Sequence, residues 1–245
     1  MTDLQILVIA GAFIIAGIAK GAIGMGLPPI AVGLMVLALP LSDALAIMAV
    51  PTLVTNIWQA MYGRNFLVLL RRFWSLAATA VAALLVVAAT LGKLGSPSAV
   101  AWLGVMLVLY AAIALLAWRP RVSRQTERWA SPLMGLASGA VAGITGIAAV
   151  PFLPYMQSLD IDKDDLVQGL GILFVCIIGA LTLALAHQGA LHAGNVAGSF
   201  AAVVPTALGV WLGQKGRRAL SPETFRRVFL LGMLAIGLHM ARGLL

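Results

Sequence analysis

The chain has 245 residues, of which 62% are hydrophobic and only 10% are charged, whereas about a quarter of the residues of an ordinary soluble domain are charged. The mean hydropathy of +1.03 excludes disorder and leaves too few polar groups to cover a soluble domain of this size. The formal net charge is +8, but no polar stretch is long enough to form the basic face or tail of a nucleic-acid binder. The composition therefore predicts a multi-pass membrane protein that does not bind nucleic acid.

The N-terminal segment is apolar and carries no positive charge before Lys20. It contains Asp3 instead, whereas a cleavable signal peptide starts with a basic region. We therefore expect a retained first membrane segment whose N-terminus lies outside the cytoplasm.

Six apolar runs have the length of single transmembrane helices, which need about 20 residues. They are residues 44–61, 73–92, 99–118, 166–186, 192–214 and 225–245. Two further apolar regions, 4–41 and 132–158, are too long for one helix and are interrupted by glycine and proline. The interruptions read GIAKGAIGMGLPP at 17–29 and GAVAGITGIAAVP at 139–151.

The two interrupted regions align with each other at an offset of 122 residues. The matching residues are Gly17 with Gly139, Gly21 with Gly143, Gly24 with Gly146, Pro29 with Pro151 and, further on, Asp43 with Asp165. This match predicts two copies of one membrane module, residues 1–122 and residues 123–245.

The basic residues indicate how the two modules are oriented. Twelve of the 16 Lys and Arg residues lie in three stretches between apolar runs: Arg64, Arg71 and Arg72; Arg119, Arg121, Arg124 and Arg128; and Lys215, Arg217, Arg218, Arg226 and Arg227. If each interrupted region crosses the membrane once, the third stretch lies outside. If each turns back as two short helices, all three stretches lie inside, as the positive-inside rule favours.

The predicted fold is therefore an all-α polytopic membrane protein made of two inverted repeats. Each repeat has a Gly/Pro-broken or re-entrant helix pair followed by three spanning helices, and the loops at 62–72, 119–131 and 215–227 are cytoplasmic. The sequence leaves open whether the broken regions fully cross the membrane or re-enter. Inverted repeats with broken helices are typical of secondary transporters, because broken backbone survives in a bilayer where it lines a cavity. Half-helix N-termini at such a cavity favour an anion.

The candidate substrate site combines one charge, glycine backbone and a polar helix face. Lys20 precedes the first break, where it offers a positive charge to an anion or snorkels to the interface. The glycines either expose N–H groups to the anion or form small-residue packing seams. The polar face of 46–63 either lines the substrate path or bonds a neighbouring helix. The candidate substrate-binding residues are Lys20, Gly21, Gly24, Gly26, Thr52, Asn56, Gln59, Gly143, Thr145 and Gly146.

Enzyme chemistry is not indicated. No Asp or Glu lies within the apolar runs, there is no HExxH or GxSxG motif, and Cys176 is the single cysteine. Intramembrane hydrolases and carboxylate proton relays need such groups. We therefore expect no catalytic residues, no metal and no cofactor.

The glycine breaks, the chain length and the two-module layout resemble the TauE/SafE family of sulfite and sulfonate exporters. Ala148 and Ala149 stand where the family pattern has a glycine pair in the second copy. The resemblance implies alternating-access transport of sulfite, sulfoacetate or related organosulfonates across the bacterial inner membrane, with H+ as the coupling ion. The alternatives are a passive anion channel and an integral membrane enzyme with re-entrant loops. The oligomeric state is open, a homodimer being one candidate.

Overall fold

The computed structural model describes residues 2–91, 94, 96–116, 121–148, 150–216 and 222–242. These residues form helices, and the β-pairing among them is an isolated parallel bridge between Val122 and Leu159. The helices are α1 Asp3–Ile23, α2 Leu27–Met35, α3 Leu41–Tyr62, α4 Phe66–Thr90, α5 Pro97–Leu115, α6 Arg124–Thr145, α7 Phe152–Ser158, α8 Lys163–His187, α9 Ala193–Ala201, α10 Val203–Gly216 and α11 Pro222–Ala241.

Six helical segments among the described residues are long and apolar enough to cross a membrane, which confirms the all-α, multi-pass prediction. They are α1, α3, α4, Ser98–Leu115 of α5, α8, and α9 with α10 taken together as Ala193–Gly216. The predicted run 225–245 corresponds to α11, within which the described residues include the apolar segment Leu230–Ala241.

Both interrupted regions form helix pairs, but the prediction of two short helices in each was wrong. The first members, α1 and α6, have 21 and 22 residues, and only the second members, α2 and α7, are short, with 9 and 7 residues. Helix α1 continues because no breaker precedes Gly24. Helix α6 starts eight residues before the apolar region, where Ser123 accepts a hydrogen bond from the N–H of Thr126, and its polar first turns are invisible to hydropathy.

Left-handed glycines terminate both long helices. Gly24 has φ 85° and Gly146 has φ 78°, and the N–H of each bonds the carbonyl four residues earlier. Gly26, with φ 100°, then precedes α2, whose first turn contains Pro28 and Pro29. Proline fits the first turn of a helix because its missing N–H has no intrahelical partner there. The Gly/Pro pattern therefore produces the two breaks where the sequence predicts them.

Helix α1 packs along α10 in the same direction. Gly209 faces the backbone of Ile14, and one turn later Gly213 faces the backbone of Ile18. Helix-to-helix contacts of this kind need small residues, since a side chain would hold the backbones apart.

Helix α6 packs along α4 in the same way and also in the same direction. Gly139 faces Ala80, and Gly143 faces Leu84 and Val87. The first long helix of each predicted module thus packs on a spanning helix of the other module.

Helices α3 and α8 cross side by side in opposite directions. Gly63 near the end of α3 contacts Gln168 near the start of α8, while Asn56 contacts Gly171 further on. The start of α3 and the start of α8 therefore lie at opposite ends of the bundle.

A polar clamp joins residues of the two predicted modules at each end of the bundle. In the α3–α9 clamp, the Asp43 carboxylate accepts a hydrogen bond from Asn195 Nδ2 at 2.9 Å and pairs with His192 Nε2 at 3.0 Å. In the α4–α8 clamp, Asn65 Nδ2 donates to Asp165 Oδ1 at 2.8 Å. Because α3 and α8 are antiparallel, these clamps lie at opposite ends.

Two of the basic stretches, 62–72 and 119–131, lie at the same end as the α4–α8 clamp. Arg72 forms a two-point ion pair with Glu127, with N···O distances of 2.6 and 2.7 Å. The third stretch follows α10, which runs parallel to α1, and α1 ends where Gly24 approaches Val167 at the start of α8. That end therefore carries the described residues of the first two stretches together with Lys215 of the third, while Arg119, Arg217 and Arg218 lie outside the described residues.

Candidate functional site

Lys20 lies in the last turn of α1 and points into the bundle. Its side chain is only 8% exposed, and Nζ donates a hydrogen bond to Asn56 Oδ1 on α3 at 2.7 Å. Asn56 is 1% exposed, and its Nδ2 donates to the carbonyl of Thr52 at 2.8 Å. This second bond fixes the amide so that its oxygen faces the ammonium. Lys20 therefore does not snorkel to the surface of the bundle.

Among the described residues, the charge of Lys20 has no acidic partner. The carboxylate ion pairs there are Arg72 with Glu127 and His192 with Asp43, and neither involves a residue of α1. Burying an unpaired cation costs several kcal/mol. A soluble anion that binds beside Lys20 would remove this cost.

Thr52 adds an unused hydroxyl one helical turn from Asn56. Its side chain is fully buried, and Oγ1 has no hydrogen-bond partner among the residues that the structure describes. Threonine hydroxyls in helices usually bond the carbonyl four residues earlier, as Thr55 does with Pro51 at 2.8 Å. We call Lys20, Asn56 and Thr52 the Lys20 cluster. It holds one positive charge and one unpaired polar group.

The two glycine breaks and one side of α8 together line a narrow apolar cleft. Gly26 and Gly146 both line it. Its volume is about 10 Å³, roughly the volume needed for one water. The remaining lining residues are Pro28, Pro29, Ile147, Ala148, Leu153, Phe174, Ile177 and Ile178. In this conformation the cleft is too small for an oxyanion.

The N–H groups at the ends of the long helices are already bonded. Gly24 donates to the carbonyl of Lys20, and Gly146 donates to the carbonyl of Ala142, both at 2.7 Å. The hydroxyl of Thr145 donates to the carbonyl of Val141 at 2.8 Å. An anion could therefore recruit these donors only after the helix ends rearrange.

A family model described as "Sulfite exporter TauE/SafE" matches residues 9–240, nearly the whole chain. The chain belongs to the TauE/SafE sulfite exporter family. No curated protein and no solved structure matches it. The match confirms the family predicted from the glycine breaks and places this TauE/SafE chain in a family of membrane exporters.

The polar face predicted on α3 of this TauE/SafE chain is divided between two neighbours. Thr52 and Asn56 belong to the Lys20 cluster, whereas Gln59 Nε2 donates to the carbonyl of Val167 on α8 at 2.6 Å. Gln168, which is 2% exposed, returns the contact by donating to the carbonyl of Ala60 at 2.7 Å. These two glutamines tie α3 to α8.

Two of the candidate glycines lie at helix seams of the TauE/SafE chain. A Cβ on Gly21 would meet the carbonyl oxygen of Val210, and a Cβ on Gly143 would lie 2.7 Å from Cβ of Val87. Their tight contacts are thus with α10 and α4. Close packing between helices therefore explains why neither position has a side chain.

The Lys20 cluster exists in only one module of the TauE/SafE chain. At the offset of 122 residues, Lys20, Thr52 and Asn56 fall on Ala142, Phe174 and Ile178. Phe174 and Ile178 line the apolar cleft. The alignment of the two interrupted regions contains the first of these differences, Lys20 against Ala142, and the same offset continued along the chain gives the other two.

Proposed function

We propose that this protein is a secondary active transporter that exports small sulfur-containing anions by alternating access. The substrate class is sulfite, sulfoacetate and related organosulfonates, and the proposed coupling ion is H+. The observation that carries the proposal is the buried Lys20, which bonds Asn56 and has no carboxylate partner within the part of the chain that the structure describes. Family membership supplies the class of cargo.

The chemistry of the Lys20 cluster suits an oxyanion. The ammonium has three donors and the Thr52 hydroxyl one, so together they can bond several oxygens of a sulfite or sulfonate group. Away from bulk water the attraction between opposite charges is much stronger than at a surface. Binding therefore offsets the cost of burying Lys20 and releases its bond to Asn56.

The arrangement of the helices supports two inverted modules, residues 1–122 and residues 123–245. The chain order of a long helix, a short helix and a spanning helix occurs twice, in α1–α3 and in α6–α8. Each long helix packs on a helix of the other module, and Asp43 and Asp165 occupy equivalent positions in clamps at opposite ends. Rocking the modules about the antiparallel α3–α8 pair would open one clamp while the other stays closed.

The proposed location is the bacterial inner membrane with the loops at 62–72, 119–131 and 215–227 facing the cytoplasm. The location of these stretches at one end of the bundle supports this orientation. It also puts the α4–α8 clamp on the cytoplasmic side and the α3–α9 clamp on the outer side.

Transport by purified protein in proteoliposomes tests the proposal. We expect saturable uptake of labelled sulfite that is accelerated by unlabelled sulfite or sulfoacetate inside the vesicles, and that follows an imposed pH gradient. Flux that neither saturates nor shows counterflow would indicate a passive channel. Flux that ignores the size and direction of the pH gradient would exclude H+ as the coupling ion.

Breaking one clamp is expected to shift the transporter toward the state open at that end. Asp165→Ala should raise labelling of a cysteine at position 52 from the cytoplasmic side, and Asp43→Ala should raise it from the outer side. Asp165→Ala removes one exposed hydrogen bond and Asp43→Ala removes two contacts. At about 0.5–1.5 kcal/mol for one exposed bond, we expect a change of roughly twofold to tenfold or more. The readout is a membrane-impermeant maleimide in a Cys176→Ser background.

Asp164→Ala is the matched control for the cytoplasmic clamp. Asp164 is exposed at the same helix start, so its removal changes the same charge without breaking a clamp bond. Equal labelling changes from both sides, or a change in Asp164→Ala as large as in Asp165→Ala, would contradict the assignment of the clamps as gates.

A further inference from the structure

A cavity of about 530 Å³ lies between the starts of α4 and α6, separate from the Lys20 cluster. Neither helix needs it for packing, because their small-residue seam begins further along, at Gly135 and Gly139. The cavity is lined by Arg72, Ser75, Arg124, Gln125, Glu127, Arg128 and Ser131.

The charge of this cavity is positive after internal pairing. Glu127 neutralises Arg72 through two hydrogen bonds, which leaves Arg124 and Arg128. Among the described residues neither of these has an acidic partner. They are four residues apart on α6, a spacing at which like charges repel each other on one helix face. An anion bound between them would attract both guanidinium groups and so outweigh the repulsion between them.

The surroundings of the cavity indicate the depth of lipid headgroups. Trp74 follows Phe73 on α4 and Trp129 follows Arg128 on α6, and both indoles are more than 60% exposed. Tryptophan is enriched where membrane and water meet. In the next turns of α6, Leu133 and Leu136 are about half exposed, as expected of side chains that face acyl chains.

We propose that this cavity binds the phosphate of an anionic phospholipid. Arg124 and Arg128 would bind the phosphate oxygens in the planar, two-donor geometry that arginine offers. Ser75 and Gln125 would complete the shell of donors, and the acyl chains would lie beside Leu133 and Leu136. Basic pockets between transmembrane helices on the cytoplasmic side are suited to anionic headgroups.

Lipid binding by the solubilised full-length protein tests this site. Native mass spectrometry compares the first bound phosphatidylglycerol with phosphatidylcholine of the same acyl chains. We expect wild type to prefer phosphatidylglycerol, and Arg124→Gln/Arg128→Gln to lose roughly tenfold or more of that affinity. The matched control is Arg64→Gln/Arg71→Gln, which removes two exposed arginines from the same end outside the cavity and should keep the preference.

Two results would overturn the proposal. One is an unchanged preference in the Arg124/Arg128 variant, or an equal loss in the control, which would mean diffuse surface charge. The other is displacement of phosphatidylglycerol by millimolar inorganic phosphate or sulfite, which would identify a site for soluble anions. Unfolding temperatures of both variants within a few degrees of wild type confirm that the comparison is between folded proteins.

Discussion

Replacing Lys20 with methionine is expected to weaken sulfite binding by about 100-fold or more without lowering thermal stability. The loss of affinity follows because a buried charge that is missing its partner costs about 3–5 kcal/mol, and the anion would be that unpaired charge. The free protein, by contrast, loses a buried ammonium, since Lys20 is 8% exposed and has no carboxylate partner among the described residues. Its removal therefore should not lower the stability of the free protein. Binding of labelled sulfite and the unfolding temperature, measured on the same preparations, check both halves.

Lys215→Met is the matched control for this substitution. Lys215 lies at the end of α10, where its exposed side chain places Nζ 3.9 Å from the centre of the Trp211 ring, so the change removes the same charge from outside the Lys20 cluster. It should leave sulfite affinity within about twofold, because exposed charges contribute little in high dielectric. A Lys20→Met protein that loses stability but binds sulfite as wild type does would show that Lys20 is structural.

Gly21→Ala is expected to destabilise the protein strongly, although Gly21 is next to Lys20 in the chain. The new Cβ would overlap the carbonyl oxygen of Val210, and backbone cannot move aside as a side chain can. Overpacking of this kind costs about 1–3 kcal/mol. Thermal unfolding in detergent and the yield of monodisperse protein measure the effect.

Gly11→Ala provides the control on the same helix. A Cβ at Gly11 meets nothing within 4 Å, so the variant should be as stable as wild type or gain up to about 1 kcal/mol from the better helix propensity of alanine. Sulfite affinity per folded molecule should be near wild type in both variants. A stable Gly21→Ala protein with lost affinity would instead support the role of Gly21 in substrate binding.

Composition and patterning predict much of this fold. Hydropathy locates the spans because a bilayer requires about 20 apolar residues in a row, and the breaks at Gly24 and Gly146 follow from the freedom of glycine at positive φ. The length of α6 escapes this reasoning. Its first turns at Arg124–Arg128 are polar because they lie beyond the apolar layer, so a hydropathy window starts the element too late.

The site is predictable in part, for a different reason. The sequence places Lys20 within an apolar run and predicts a polar face on 46–63. These are the two elements, α1 and α3, whose side chains meet in the Lys20 cluster. The spacing of polar residues predicts which of them share a helix face, but not which helix that face contacts. Spacing therefore predicts the same role for Gln59 and Asn56, whereas Gln59 bonds Val167 on α8. The lysine–asparagine contact itself depends on where the end of α1 lies relative to α3 in the folded bundle, which one sequence pattern cannot specify.

An experimental structure with sulfoacetate bound would test the role of the Lys20 cluster most directly. We predict that the sulfonate or carboxylate oxygens lie within hydrogen-bond distance of Lys20 Nζ and Thr52 Oγ1, and that the bond from Lys20 to Asn56 is lengthened or replaced. An anion bound elsewhere in the membrane-spanning part, with the Lys20–Asn56 bond kept at 2.7 Å and Thr52 still unpartnered, would contradict it.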